Sequence, residues 1–308
     1  MAKASPPKQR FLDPAVLQQI ASLGLGPREM IQGTRVGMHA SPMRGFSTEF
    51  AHHRQYVQGD PAKHVDWRLY GRTNRYYTKL FEAETNFDAH LLLDASASMR
   101  FASGQRSKLD YARMMAACLA YLIVDQRDSA GLGVFDDQVR SYIPPSSTMR
   151  VVSDIDEELA RITDPQPKTG IASILHQFAA RIGRRGFVIL FSDLFDDEQQ
   201  VLRGLDHLRF RGHNVIVFHV LDAHELTFPM KGAVRFEGLE LEEPIVASPQ
   251  QVRDAYLEEL DKFTTTLRSG CEKSHCDYVL VDTSRPVGEV LSAFLRQRVA
   301  TKTGTTNR

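Results

Sequence analysis

The sequence is poor in cysteine and has no long apolar run. Three cysteines, Cys118, Cys271 and Cys276, are too few and too odd in number for a disulfide framework, which favours a reducing compartment. Residues 1–11, MAKASPPKQRF, lack the apolar stretch of a signal peptide. The longest apolar run, residues 114–124, is shorter than the roughly 20 residues that a membrane-spanning helix needs. We therefore expect a cytoplasmic protein without a membrane span.

An excess of charge of either sign is also absent. Lys and Arg together number 38, and so do Asp and Glu, so no overall field attracts nucleic acid or an anionic membrane. Hydrophobic residues make up 42% of the 308 residues and charged residues 25%, which is typical of a globular protein. This length predicts one principal domain of about 200 residues with an appendage.

Several catalytic motifs are missing as well. The sequence contains no G-x-x-x-x-G-K-[ST] phosphate loop, no G-x-S-x-G and no H-E-x-x-H. The segment CEKSHC offers Cys271, His275 and Cys276 as soft ligands, but it has no second cluster to complete a zinc site. We expect a protein that is not an enzyme.

Apolar strands and helices alternate from residue 88 to residue 300. The strands HLLLD, GLGVF, GFVILFSD, NVIVFHV and CDYVLVD read as continuous apolar runs, and QVRSYI as an edge strand. Helices are predicted over residues 108–124, 148–162, 171–182, 198–210, 249–267 and 286–299. This pattern predicts an α/β fold, a doubly wound and mostly parallel sheet with helices on both faces.

The remaining segments are assigned around this domain. Residues 1–29 form a leader with a helix capped by Asp13, residues 30–87 an α+β appendage, and residues 301–308 a disordered tail. Within the appendage, EFAHHRQYV and DWRLYGR are predicted as short helices and YYTKLFEAE as a strand. Residues 236–246, FEGLELEEPIV, are predicted as an extended hairpin whose acidic face could contact the metal of another protomer and so allow self-association.

Five oxygen-bearing residues follow predicted strands or precede predicted helices. Asp94, Ser96 and Ser98 lie at alternate positions after HLLLD, Thr169 precedes a helix, and Asp193 ends an apolar strand. Each also fits a helix N-cap or a hydrophilic loop. Because parallel strands end at one edge of a sheet, the five side chains are expected around one point. Oxygen ligands with few charges suit Mg²⁺, with Mn²⁺ or Ca²⁺ as alternatives, better than zinc.

Two motifs resemble known families. The D-x-S-x-S…T…D pattern on an alternating α/β background resembles the von Willebrand factor A domain and its metal-ion-dependent adhesion site, MIDAS. Residues 41–84, from SPMRGF to KLFEAE, resemble the segment that precedes such a domain in bacterial DUF58 proteins. The resemblance implies a metal held by Asp94, Ser96, Ser98, Thr169 and Asp193, a carboxylate offered by a partner, and a MoxR-type AAA+ ATPase as that partner. Gly170 stands where related sequences often carry an acidic residue.

Two other functions remain open. Residues 44–79 contain seven Lys or Arg residues against three acids, with seven interleaved aromatics, a mixture found in single-stranded nucleic-acid binding. An internal scaffold or a protein interface is the preferred interpretation, with Trp67 buried against the α/β domain. A Mg²⁺ flanked by carboxylates could instead assist phosphoester hydrolysis.

Overall fold

A computed structural model describes residues 10–22, 50–57, 65–81, 87–162, 170–230, 234–236, 245–247 and 249–304. Residues 37–86 form one compact unit, and residues 1–36 with 87–308 form the other. The predicted leader is not separate, because its helix α1, Pro14–Ala21, packs on the last helix of the larger unit. As predicted, Asp13 caps α1 by accepting a hydrogen bond from the Ala15 amide.

The larger unit continues from α1 through eight strands and seven further helices among its described residues. In chain order these are β3 (Asp88–Asp94), α3 (Lys108–Asp125), β4 (Ser129–Phe135), β5 (Val139–Ser146), α4 (Met149–Arg161), α5 (Ile171–Arg181), β6 (Phe187–Ser192), α6 (Glu198–Phe210), β7 (Asn214–Leu221), α7 (Ala223–Thr227), β8 (Val234–Phe236), β9 (Ile245–Ala247), α8 (Pro249–Lys273), β10 (Asp277–Asp282) and α9 (Val287–Gly304).

Six of these strands form one sheet in the order β10-β7-β6-β3-β4-β5. All neighbouring pairs are parallel except β4 with the edge strand β5. The predicted doubly wound sheet is confirmed. The chain leaves β3 towards β4 on one side and returns to β6 on the other, so the switch point lies between β3 and β6.

Two hydrophobic layers cover the two faces of this sheet. Helices α1, α3, α4 and α9 contribute to one layer, and α5, α6 and α8 to the other. Along β3, Leu91 and Leu93 face the first layer and Leu92 the second, so the strand is buried on both faces. This burial explains why the strand reads as an unbroken apolar run.

Several boundaries differ from those predicted. Helix α8 extends to Lys273 and α9 to Gly304, so the predicted tail is helical over residues 301–304, while 305–308 lie outside the described residues. Strands β8 and β9 pair in antiparallel fashion, as the predicted hairpin requires. The glutamates predicted for the acidic face of this hairpin lie outside the described residues. No helix in the described ranges is long and apolar enough to cross a bilayer.

The smaller unit pairs two strands, β1 (Phe50–Gln55) and β2 (Tyr77–Phe81), around helix α2 (Trp67–Thr73). The prediction of a helix over EFAHHRQYV is wrong, because these residues pair along β2 and the partner strand decides the conformation of an ambiguous polar segment. The α2 helix and the β2 strand are confirmed. Trp67 is 62% exposed, so its predicted burial is also wrong.

A buried histidine next to the switch point, His90, is expected to make the fold sensitive to acid. The His90 ring stacks on Tyr142, and its Nδ1 lies 3.1 Å from the Tyr142 hydroxyl. Burial, with a contribution from His213, lowers the pKa of His90 to about 4. The unfolded chain, with a histidine pKa near 6.5, therefore binds more protons between pH 6.5 and 4 than the folded chain.

We expect the free energy of unfolding to fall as the pH drops through this window, by roughly 3 kcal/mol from His90. Urea denaturation at pH 7 and pH 4.5 measures it. A His90→Gln variant should show a shallower loss. The exposed His275, whose φ of 54° suits asparagine, supplies the control variant His275→Asn, which should retain the wild-type slope. Equal slopes for wild type and His90→Gln would contradict the assignment.

Candidate metal site at the carboxyl edge of the sheet

Asp94 is the last residue of β3 and is completely buried. Its Oδ1 accepts a hydrogen bond of 2.9 Å from the Ser96 amide, and its Oδ2 one of 2.6 Å from the Ser192 hydroxyl. Ser192 ends β6, the neighbouring strand. The carboxylate is thus fixed by both strands that flank the switch point.

Two hydroxyl groups follow Asp94 at alternate positions. The Ser96 and Ser98 Oγ atoms lie 3.1 Å apart, with Ser96 fully buried and Ser98 partly exposed. Ser98 begins a short 3-10 turn, Ser98–Arg100, that bends the chain and keeps the two hydroxyls on the same side. The D-x-S-x-S segment therefore forms a compact oxygen cluster whose outer member reaches the surface.

Asp193 comes directly after β6 and is also completely buried. Since Leu93 pairs with Phe191 in the parallel register, Asp94 and Asp193 leave adjacent strands at the same edge. Burial and the nearby Asp193 carboxylate raise the pKa of Asp94 to about 7. A cation bound between two buried carboxylates would offset their mutual repulsion.

Thr169 lies outside the described residues. Its neighbour Gly170 is described, and the Gly170 amide donates to the Asp136 carbonyl oxygen, 3.4 Å away, just beyond the end of β4. The Ala95 amide in turn donates to Phe135, the last residue of β4. The chain at residue 170 is therefore at the same edge of the sheet as Asp94.

A lysine that was not predicted from the sequence also belongs to this cluster. The Lys108 side chain is completely buried, and its Nζ lies 2.8 Å from Asp193 Oδ2 and 2.7 Å from Glu225 Oε1. Burial lowers the pKa of Lys108, but pairing with the two carboxylates outweighs it and holds the pKa above its ordinary value. A signal existed in the sequence, because Lys108 is the first residue of α3, where the positive end of the helix dipole disfavours a cation.

Glu225 and Asp222 connect this lysine to the neighbouring loops. They form a capping box at the start of α7, in which Glu225 Oε2 accepts from the Asp222 amide at 2.7 Å. Asp222 Oδ2 accepts from the Ser103 amide at 3.1 Å and from the Thr283 hydroxyl at 3.4 Å. A buried polar network therefore joins the loops after β3, β6, β7 and β10.

The oxygen cluster fits a small hard cation. An octahedral Mg²⁺ with oxygens at 2.0–2.1 Å places neighbouring ligands about 3 Å apart, and the Ser96 and Ser98 hydroxyl oxygens are separated by 3.1 Å. Both Asp94 oxygens already accept a hydrogen bond, which suits a carboxylate that acts on a cation through water. Hydroxyl and carboxylate oxygens are the donors that such a cation prefers.

The cysteines do not form a second metal centre. Cys118, Cys271 and Cys276 are all buried free thiols, and burial raises the pKa of Cys118 to about 11 and those of the other two to about 12. Over the described part of the chain, no three His, Cys, Asp or Glu side chains come together as a metal-binding group. The three thiols are core residues.

The fold and this edge define a doubly wound α/β domain with a D-x-S-x-S cluster at its switch point. A model of the family described as "Protein of unknown function DUF58" matches residues 52–265, and the chain belongs to this family. Uncharacterized proteins of Mycobacterium bovis and Mycobacterium tuberculosis are 24% identical over 232 residues, which is 74% of this chain and 72% of theirs.

Solved structures with similarity to the chain include two Bacteroides proteins and a VWA domain. An aerotolerance-related membrane protein of Bacteroides fragilis is 19% identical with a TM-score of 0.46, covering 70% of this chain and 99% of that one. BatB of Bacteroides thetaiotaomicron is 19% identical with a TM-score of 0.43, covering 70% and 100%. The SpRpn10 VWA domain is 12% identical with a TM-score of 0.37, covering 67% and 94%.

Proposed function

We propose that this chain is a metal-dependent protein-interaction module and not an enzyme. The observation that carries the proposal is the pair of hydroxyls, Ser96 and Ser98, set 3.1 Å apart beside the buried carboxylates of Asp94 and Asp193. A buried pair of acids costs folding free energy unless a cation compensates it. Lys108 donates to Asp193 and to Glu225, which leaves the charge of Asp94 for a second cation.

The proposed site contains Ser96, Ser98 and Thr169 as direct ligands, with Asp94 and Asp193 acting through water. A bound Mg²⁺ or Mn²⁺ would supply an attraction for a carboxylate of the partner. The partly exposed Ser98 marks the side from which that carboxylate approaches. Hydroxyl ligands add no negative charge, so this ligand set favours an anionic partner.

By the DUF58 resemblance we propose a MoxR-type AAA+ ATPase as the partner, in a chaperone-like or regulatory assembly. The test is co-purification of the ATPase with wild-type chain and with a Ser96→Ala/Ser98→Ala variant. A chelator is not decisive, since it also removes Mg²⁺ from an ATPase. Ser153→Ala on α4 is the matched control. We expect capture by the wild type and the control only, and equal capture by the double variant would refute the metal-dependent mechanism.

One observation favours a second function, the binding of single-stranded nucleic acid by the smaller unit. Trp67 is 62% exposed on α2 beside the exposed Arg68 and Arg72. Tyr70 and Tyr76 stack with ring centroids 4.4 Å apart. Such binding predicts an affinity that falls steeply with salt and depends on Trp67. Fluorescence anisotropy with a labelled oligonucleotide and Trp67→Ala tests it, and the absence of binding at low salt would exclude it.

A further inference from the structure

Lys108 occupies an unusual place, between the proposed metal site and the capping box of α7. Its ammonium is completely buried and contacts Asp193 Oδ2 and Glu225 Oε1 at 2.8 and 2.7 Å. The rings of Phe195 and Phe101 lie with their centroids 5.0 and 6.0 Å from Nζ. Because the ammonium is out of contact with water, its charge is screened less than that of a surface lysine.

Asp193 is therefore shared between a resident cation and the proposed metal. Its Oδ2 accepts from Lys108, while among the described residues its Oδ1 accepts a long bond of 3.4 Å from the Phe195 amide. The ammonium cancels much of the negative charge that Asp193 would otherwise direct at a divalent ion. Glu225 has the opposite effect, because it compensates Lys108 from the other side.

We propose that Lys108 sets the charge of the metal site and thereby limits its affinity for divalent cations, and that Glu225 reduces this effect by pairing with Lys108. This inference rests on the proposed function, because it concerns the same site. Lys108 is a positioning and charge-setting residue, not a ligand. A cation held next to a neutralised Asp193 keeps more of its own charge, which strengthens its attraction for the carboxylate of a partner.

The test is the Mn²⁺ dissociation constant, measured by electron paramagnetic resonance and by calorimetry, for four forms of the full chain. Lys108→Met removes one positive charge and should tighten Mn²⁺ binding by about tenfold. Glu225→Gln removes one negative charge and should weaken it by a few-fold to about tenfold. Lys108→Met/Glu225→Gln removes both and should bind within about threefold of wild type.

Opposite signs for the two single variants distinguish a charge effect from a structural one, because a damaged fold weakens binding in every variant. Circular dichroism and urea denaturation establish that each form is folded. Where Lys108→Met does not fold, Glu225→Gln and the double variant decide, since Glu225→Gln keeps an acceptor for the Asp222 amide. Unchanged or tighter binding by Glu225→Gln would overturn the inference.

The outcomes separate the inference from the proposed function. Mn²⁺ binding by wild type with no opposed effects of the single variants leaves the proposed function standing and overturns the role of Lys108. Binding by Lys108→Met but not by wild type supports the role of Lys108 and overturns a metal-dependent function of the native chain. Absence of binding in all four forms overturns both.

Discussion

An Asp94→Asn variant should lose at least tenfold, and up to about a hundredfold, in affinity for Mg²⁺ or Mn²⁺ while its stability stays close to that of the wild type. The loss follows because the substitution removes one of two buried charges and replaces Oδ2, which accepts from the Ser192 hydroxyl, with an amide group that donates, while Oδ1 still accepts from the Ser96 amide. Stability persists because burial already raises the pKa of Asp94 to about 7, so the neutral carboxyl that asparagine mimics is well populated near neutral pH.

The measurement is Mn²⁺ titration together with urea denaturation of the metal-free protein. Asp88 begins the same strand, at the edge opposite the site, and Asp88→Asn is therefore the matched control. A variant at position 94 that binds Mn²⁺ as wild type does would remove the acid from the proposed site. A variant that unfolds would show that Asp94 is needed for the fold.

Replacing Lys108 with methionine should lower the free energy of unfolding by roughly 3–5 kcal/mol, because it leaves two buried carboxylates without their cation. Side-chain exposure is 0% for Lys108, 1% for Asp193 and 14% for Glu225, so solvent offers little compensation. Adding Glu225→Gln should recover part of the loss, since one of the two uncompensated charges is then gone. Urea denaturation of the metal-free proteins measures both changes.

The chain provides a matched lysine on its surface. Lys262 on α8 contacts Glu258 and Glu259, each at 2.8 Å, with its own side chain 58% exposed. Because water screens this cluster, Lys262→Met should leave stability almost unchanged. A similar loss for the two substitutions would mean that burial of Lys108 does not determine its contribution.

The sheet and its order of elements could be predicted from apolar runs. β3, β6 and β7 are buried on both faces, and a strand of this kind can be predicted from its apolar composition alone. The polar strand β1 could not be predicted, because EFAHHRQYV has no clear period of apolar residues. Its conformation depends on pairing with β2, more than 20 residues away. The exposure of Trp67 could not be predicted either, because it depends on which residues pack around α2 in the folded chain.

The oxygen-bearing loop residues of the candidate site could be predicted from the sequence, whereas the buried Lys108–Glu225 ion pair beside them could not. Asp94, Ser96, Ser98 and Asp193 follow from strand ends, since parallel strands deliver their loops to one edge. Lys108 and Glu225 lie 117 residues apart and meet only through the fold. Ser192 could not be predicted because it is part of an apolar strand, although its register places it opposite Asp94.

The hydrogen bonds of Asp222 have a consequence for motion. This single carboxylate holds the Ser103 and His224 amides and the Thr283 hydroxyl, so three loops share one anchor. Loops joined in this way open together as one cooperative unit. After correction for intrinsic rates, amide hydrogen exchange at residues 103 and 224 should therefore report a common free energy of opening.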